Sequence, residues 1–358
     1  MTGGLKKDGI CVSQLDYAKR LNKNIFSLDV CAVHNNSDEM IKAYEDAGCK
    51  VIVFPDRKKN LIKYIKKLKV ELRNGRYDII HTFGSSSLMA IELMIAKKCD
   101  IKVRIAHSRN TTCDRPWLEK LIKPIFKKSY NYALACGKDA GEWLFDDKKY
   151  NILHNGKNLN KYSFNENIRK KIRRKYKIQD KIAIGHVGNF INQKNHEFLI
   201  DIFSEINRKD NNTVLFLMGS GSLVDEIKEK VIQLKLNDKV YFLGSINNVE
   251  EIIQAMDVMI FPSLFEGLPN VVIEWQASGL PCLISDKITK ECCVTDNVFF
   301  LSIDNGLDEW INTTLDVCYK KNNRNNVSAK NLQLLKDNGF DIVDSVVFLE
   351  ELYKSLLK

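Results

Sequence analysis

Short runs of apolar, β-branched residues alternate with stretches of helical periodicity from one end of the chain to the other. In the first half, the runs near Ile25–Val33, Lys50–Phe54, Asp78–Thr82, Lys102–His107, Tyr132–Ala135 and Asn151–His154 predict strands. Helical spacing falls between them, notably over Asn60–Arg73 and Pro116–Lys128. A charged segment, Asn165–Asp180, reads as a linker and connecting helix. The pattern then restarts with strands expected at Ile182–Gly188, Thr213–Met218, Val240–Phe242, Val258–Phe261, Pro281–Ser285 and Phe299–Leu301. Strands separated by helices are what parallel α/β layers require, because each crossover must travel back along the sheet. The expected fold class is α/β, with two Rossmann-like domains facing a cleft. Such sheets bind ligands at the carboxyl ends of their strands.

The two ends of the sequence depart from a simple repeat. A doubly wound domain should open with an apolar strand that leads into a Gly-rich loop. Here Met1-Thr2-Gly3-Gly4-Leu5-Lys6-Lys7-Asp8-Gly9-Ile10 begins at the loop itself, so the first strand of the N-terminal domain is expected to be missing and its neighbours unpaired. At the other end, Asp341–Leu357 is helical in pattern. Val343, Val346, Val347, Leu349, Leu352, Tyr353 and Leu356 form an apolar face that needs a surface to cover.

With 358 residues the chain is long for one domain and comfortable for two. Its 55 Lys and Arg against 45 Asp and Glu leave a formal charge of +10, which favours anionic partners. No stretch reaches the ~20 apolar residues of a transmembrane helix. Ten cysteines without a Cys-x-x-Cys pair, and six dispersed histidines, give no metal-ligand spacing. These features imply a cytoplasmic protein with idle thiols and no metal.

The densest chemistry lies in Phe265-Glu266-Gly267-Leu268-Pro269-Asn270-Val271-Val272-Ile273-Glu274 and the following Trp275–Pro281. Two carboxylates with seven residues between them bracket a turn and the start of a helix. Pro269 suits a first helical position and Gly279 the left-handed residue past its end. The free N–H groups at such a helix start form an anion site. Eight helical residues rise about 12 Å, which exceeds the roughly 5–9.5 Å of glycoside-hydrolase carboxyl pairs. A loop position for Glu266 would shorten that gap, so hydrolysis is weakened as a reading. A second segment, Gly185–His196, joins a strand to a helix and carries Asn189 and Lys194, the latter able to place a positive charge on a diphosphate. Gly219-Ser220-Gly221 follows a strand and precedes a helix, but lacks the Gly-Lys-Ser/Thr of a P-loop, which argues against a simple ATPase. Gly9 suits a close approach of backbone to a phosphate.

The Glu266–Glu274 segment resembles the Glu-x7-Glu signature of the family 4 retaining glycosyltransferases, which have the GT-B fold. Further matches run from the Gly9 loop through Gly188–His196 to the C-terminal helix. The resemblance implies transfer of a sugar from a nucleotide donor, usually a UDP-sugar, to an acceptor hydroxyl. It assigns Glu274 to the ribose hydroxyls and Glu266 to the donor sugar. Lys194, Gly9 and the turn Gly267, Leu268, Pro269 and Asn270, through the N–H groups of its residues other than Pro269, fall to the diphosphate, with Lys194 replacing a metal. Gly219 falls in the donor cleft, Ile246 beside the base, and His107 close to the donor sugar. Where the family has an arginine after the glycine, this chain has Asn189, which donates a hydrogen bond without charge assistance. The implied division is 1–163 as the N-terminal acceptor-side domain and 164–337 as the nucleotide-sugar domain. Residues 338–358 form a helix crossing back to the first.

Arg57–Arg76 is strongly basic, with Leu61, Ile65, Leu68 and Leu72 on one helical face. The apolar face packs on the sheet and leaves lysines free to meet an anionic membrane, each adding about 1 kcal/mol. With the family resemblance, this points to a lipid-linked glycan acceptor in capsular or other surface polysaccharide synthesis, at the inner face of the membrane. A nucleic-acid partner is disfavoured, since no aromatic or helix-turn-helix pattern accompanies the charge. Two alternatives stay open: a UDP-sugar epimerase or phosphorylase of the same fold, and a catalytically weak sugar-nucleotide-binding subunit.

Overall fold

The computed structural model describes residues 4–5, 9–33, 36–111, 116–146, 148–320 and 323–358. Residues 1–3 and 6–8, ahead of Gly9, lie outside them. The chain divides into one unit of Met1–Lys157 with Gly339–Lys358, and a second of Asn158–Asn338.

The first unit holds strands β1 (Asp29–Ala32), β2 (Lys50–Val53), β3 (Ile79–Gly84), β4 (Val103–Ser108), β5 (Tyr132–Ala135) and β6 (Asn151–Ile152). Its helices are α1 (Gly9–Arg20), α2 (Asp38–Asp46), α3 (Leu61–Asn74), α4 (Ala90–Lys98), α5 (Pro116–Phe126), α6 (Lys138–Phe145) and the C-terminal helix Ile342–Leu357. The strands form two separate parallel sheets, β1-β2 and β3-β4-β5-β6. The C-terminal helix lays Ile342, Val346, Leu349 and Leu352 against Tyr17 of α1, against Leu21 just after it, and against Val103, Ile105, Leu134 and Leu153. Its entry is fixed by two backbone bonds, Lys157 N–H to Phe340 O (2.7 Å) and Ile342 N–H to Lys157 O (2.9 Å). Gly156 is needed there, because a Cβ would sit 2.8 Å from Ile342 Cα.

The second unit holds β7 (Ile182–Val187), β8 (Thr213–Met218), β9 (Val240–Gly244), β10 (Val258–Phe261), β11 (Cys282–Ser285) and β12 (Val298–Leu301). All pair in parallel in the order β12-β11-β10-β7-β8-β9. Helices α7 (Leu159–Tyr162), α8 (Glu166–Lys175), α9 (His196–Lys209), α10 (Val224–Gln233), α11 (Val249–Ile252), α12 (Asn270–Ala277), α13 (Asp308–Tyr319) and α14 (Arg324–Asp337) cover the sheet. Residues of β8 and β10 are fully buried, as continuous apolar runs in a two-sided sheet should be. The reversal of strand order falls between β7 and β10, and it places the loops after those two strands side by side.

Three sequence expectations need correction. The run Ile25–Val33 yields a strand only from Asp29, because Ile25 and Phe26 turn back onto Asn22 through N–H bonds of 3.0 and 2.9 Å to its carbonyl. On α3 the inward face is led by Tyr64 with Leu68 and Leu72, while Leu61 is exposed. Asn165–Asp180 holds the expected connecting helix, but packed on the second sheet and not as a linker. Asn165 caps α8, whose Arg169 and Arg173 pair with Asp257 at 2.5 and 3.1 Å, and the Ala183 N–H bonds the same carboxylate at 2.8 Å. This cluster anchors α8 at the foot of β7 and β10. Asp257→Asn should therefore cost about 3 kcal/mol, as for breaking a buried pair from one side, measured by urea unfolding. A loss below about 0.5 kcal/mol, the range of ordinary surface changes, would contradict this role.

Candidate functional site

The loop after β7 begins with Gly188, whose N–H bonds Met218 O (2.9 Å), so that β7 and β8 end in register. Asn189 follows, then a 3₁₀ turn over Asn192–Lys194, and Asn195 in a left-handed conformation (φ 53°) opens α9. The loop after β8 is drawn against this one. Gly219 has φ 148°, its N–H bonds Gly244 O (2.9 Å), and a Cβ there would lie 2.0 Å from Gly188 O. Any side chain at 219 would force the two loops apart. Phe190 N–H bonds Ser220 O (3.0 Å), and Ser245 Oγ donates to Ser220 Oγ (2.9 Å), which adds the loop after β9 with its half-buried Ile246.

The loop after β10 meets the same crest. Leu264 N–H bonds Gln193 O (2.8 Å) and Gln193 Nε2 donates to Phe265 O (2.9 Å). These bonds carry Glu266 to Lys194, where Oε1 and Nζ are 2.5 Å apart with both side chains largely buried. The Lys194 ammonium also lies 4.6 Å from the centroid of the Phe261 ring, a cation–π contact. Beyond Gly267 and Leu268, α12 starts at Asn270, with Pro269 at the cap position just outside it. Glu274 is buried in that helix, and Gly279 takes the left-handed turn (φ 68°) that ends it. Asn189, Lys194, Gly219, Ile246, Glu266, Gly267, Leu268, Pro269, Asn270 and Glu274 therefore share the carboxyl ends of β7 to β10 in the second unit. Gly9, as the first residue of α1, and His107, in β4, belong to the first unit.

The residues that set the electrostatics around Lys194 were not singled out in the sequence. His186 Nδ1 donates to Ile260 O (2.8 Å), and its ring lies 4.6 Å from the His196 ring, which stacks on Phe190 at 4.0 Å. Burial, and then the neighbouring His196, push the His186 pKa well down; burial, and then the Lys194 charge, push His196 down to about 4. Both rings are neutral at pH 7, so the positive charge of this cluster rests on Lys194. In the first unit, His107 Nδ1 lies 3.1 Å from His81 Nε2, and His81 Nδ1 lies 2.7 Å from Tyr353 Oη on the C-terminal helix. Burial lowers the pKa of both histidines well below the usual range, so this relay is also uncharged. Among the described residues no His, Cys, Asp or Glu cluster could hold a metal ion.

Two Rossmann-like α/β units in one chain are the GT-B architecture. The comparisons point the same way, to similarity with glycosyltransferases. Residues 168–331 match the family model described as glycosyl transferases group 1. The chain is 28% identical over 302 residues to the Bacillus subtilis glycosyltransferase EpsF, covering 80% of this chain and 78% of the relative. It is also 28% identical to the Escherichia coli UDP-Gal:alpha-D-GlcNAc-diphosphoundecaprenol alpha-1,3-galactosyltransferase (88% and 84% covered). Among solved structures it is similar to Anabaena HepE in complex with UDP, at TM-score 0.81 and 16% identity, with 99% and 98% of the two chains covered.

Removing one partner of the Lys194–Glu266 pair strands a largely buried charge. Lys194→Ala should cost about 3 kcal/mol in urea unfolding, and Glu266→Gln in the same chain should recover part of it. Additive losses would show that the two groups are uncoupled.

The buried histidines make a second prediction, on pH. Unfolded imidazoles bind protons below pH 6.5, whereas folded His196 stays neutral down to about 4. Stability is thus fully present above 6.5 and falls as pH drops, by up to about 1.4 kcal/mol per pH unit for each such histidine. His196→Phe keeps the stack on Phe190 and should flatten this slope between about pH 7 and about pH 5. An unchanged slope in denaturant midpoints would contradict the assignment.

Proposed function

We propose that the chain transfers a sugar from a UDP-sugar to a hydroxyl of a lipid-linked glycan in the synthesis of a bacterial surface polysaccharide. The observation that carries this reading is the Lys194–Glu266 pair on a four-loop crest beside the start of α12. A cation next to a helix N-terminus suits a diphosphate, and a carboxylate one turn inside that helix suits the hydroxyls of the attached ribose. Two relatives support the substrates: the Escherichia coli enzyme uses UDP-Gal and a diphosphoundecaprenol-linked acceptor, and the Staphylococcus aureus relative CapH belongs to capsular polysaccharide biosynthesis.

In this reading Lys194 and the N–H groups of Gly267, Leu268 and Asn270 stabilise the leaving diphosphate without a metal. Glu274 anchors the ribose, while Glu266 holds the donor sugar and orients the Lys194 ammonium. Gly219 and Asn189 shape the phosphate loop, Ile246 packs on the base, and Gly9 approaches the phosphates. His107, kept neutral by burial, acts as a hydrogen-bonding group and not as a proton-exchanging one at pH 7. Retention of anomeric configuration follows if the leaving diphosphate takes the acceptor proton on the face it leaves.

An anionic membrane surface is the proposed site of action. Trp117, Leu121 and Ile125 lie one turn apart along α5 and are 67%, 69% and 52% exposed, with Lys120, Lys123, Lys127 and Lys128 near them. An exposed apolar stripe edged by lysines is the pattern of an interfacial helix. It is a better docking face than α3, whose inward residues pack on the sheet. Among the described residues no helix is long and apolar enough to cross a membrane.

Glu274→Gln should weaken UDP binding in calorimetry by about 1–3 kcal/mol, as for hydrogen bonds to charged groups; unchanged affinity would remove its ribose role. Glu266→Ala should lower turnover with acceptor far more than UDP affinity. UDP release should persist in EDTA, and a complete loss restored by manganese would sink the metal-free mechanism. Trp117→Ser with Leu121→Ser should abolish co-sedimentation with anionic vesicles while leaving UDP affinity unchanged. Equal sedimentation of parent and variant would argue against α5 as the docking helix.

A further inference from the structure

Two buried arginines of the second unit show what a structural arginine does in this chain. Arg173 bonds Ala255 O (2.7 Å) and pairs with Asp257 (3.1 Å), and Arg324 bonds Ser278 O and Met256 O, both at 2.8 Å. Arg109 in the first unit does neither. It is 7% exposed, yet among the described residues its Nε and Nη2 have no hydrogen-bond partner. The groups whose charge bears on it are Cys136, Tyr17, Cys11 and Tyr44, which are thiols and phenols and not carboxylates. Burial works against its charge, but a guanidinium does not give up its proton near pH 7. An unpaired buried cation is costly to a fold. Arg109 therefore calls for an anion that the described residues do not supply.

The surroundings of Arg109 say what kind of anion fits. Its N–H bonds Gly84 O (3.0 Å), which sets it just past the carboxyl ends of β3 and β4. Ligands of parallel sheets bind at that end of the strands. The guanidinium lies 5.7 Å from the centroid of the Phe83 ring, which stacks on His81 at 4.2 Å, so the head is held over an aromatic face. Nε and Nη2 form one edge of the guanidinium, and that edge can grip two oxygens at once. Gln14 of α1 and His107 line the same cavity of 520 Å³ as Arg109. Gln14 Nε2 is likewise buried without a partner. Arg109 Nε, Arg109 Nη2 and Gln14 Nε2 are all N–H donors. Sugar hydroxyls would satisfy such donors but leave the charge unpaired, whereas a phosphoryl group does both.

We propose that Arg109 binds a phosphoryl group of the lipid-linked acceptor, gripping two of its oxygens through Nε and Nη2, with Gln14 Nε2 as a further donor. This rests on the acceptor reading above and adds which residues hold the charged junction between lipid and glycan.

The test is titration calorimetry with geranyl diphosphate, a soluble prenyl diphosphate, on the full chain saturated with UDP. Arg109→Met should weaken geranyl diphosphate binding at least about tenfold, which is 1.4 kcal/mol, and leave UDP affinity unchanged. Arg109→Lys keeps the charge but loses the fork, and should fall between the parent and Arg109→Met. At about a hundredfold excess over its Kd, geranyl diphosphate should raise the thermal midpoint of the parent by at least about 2 °C and leave that of Arg109→Met unmoved. Without ligand, Arg109→Met should melt no lower than the parent, because it removes a buried charge that has no partner. No geranyl diphosphate binding by the parent, or equal binding by parent and Arg109→Met, would overturn the proposal. So would an equal loss of UDP affinity, which would move Arg109 to the donor. A ligand-free midpoint lower by more than about 5 °C would make Arg109 structural. Binding of glucuronate in place of geranyl diphosphate would put a sugar carboxylate there and overturn it too. Absence of UDP binding by the parent would sink the donor reading alone, and the Arg109 contrast is then read without UDP.

Discussion

A parallel sheet whose first strand lies at its centre must reverse its winding there, and the second unit depends on that constraint. β7 is flanked by β8 and β10, so the chain leaves it first to one side and later to the other. The loops after β7 and β10 cannot be covered by a shared crossover helix, and they are left facing each other. Gly188 and Gly219 let the β7 and β8 loops touch at backbone distance, and Gln193 ties in the loop after β10. Lys194 and Glu266 meet because the sheet brings those loops together, although 72 residues separate them.

Burial then decides which groups carry charge. His186 and His196 are packed against Phe261 and Phe190, and both stay neutral. The Lys194 ammonium lies beside Glu266 and over the face of Phe261. The result is one cation in an aromatic surround at the edge of a helix start, a more selective setting for a diphosphate than the chain's diffuse positive charge. The same logic operates in the first unit, where His81, His107 and Tyr353 form a neutral relay beneath the strand ends.

Much of this was legible in the sequence where local pattern decides structure. Thr213–Met218 and Val258–Phe261 read directly, because strands buried on both faces are continuous apolar runs. Gly279 read as a helix end because its left-handed turn favours glycine. Apolar residues that serve other surfaces misled: Ile25 and Phe26 look like strand but belong to a turn. Long-range pairings were illegible. Nothing local announces that Arg169 and Arg173 grip Asp257, or that Tyr353 reaches His81 across 272 residues. The cations of α8 read only as a charged linker and connecting helix because their partner lies in another element.

The central claim is that the crest around Lys194 and α12 recognises a diphosphate, and titration calorimetry with UDP, UMP and uridine in EDTA tests it most directly. If the second phosphate sits on Lys194 and the helix start, UDP should bind at least about tenfold more tightly than UMP, the 1.4 kcal/mol or more expected of a charge-assisted contact. Uridine should bind more weakly than either. Equal affinities for UDP and UMP would place the phosphates elsewhere and contradict the account.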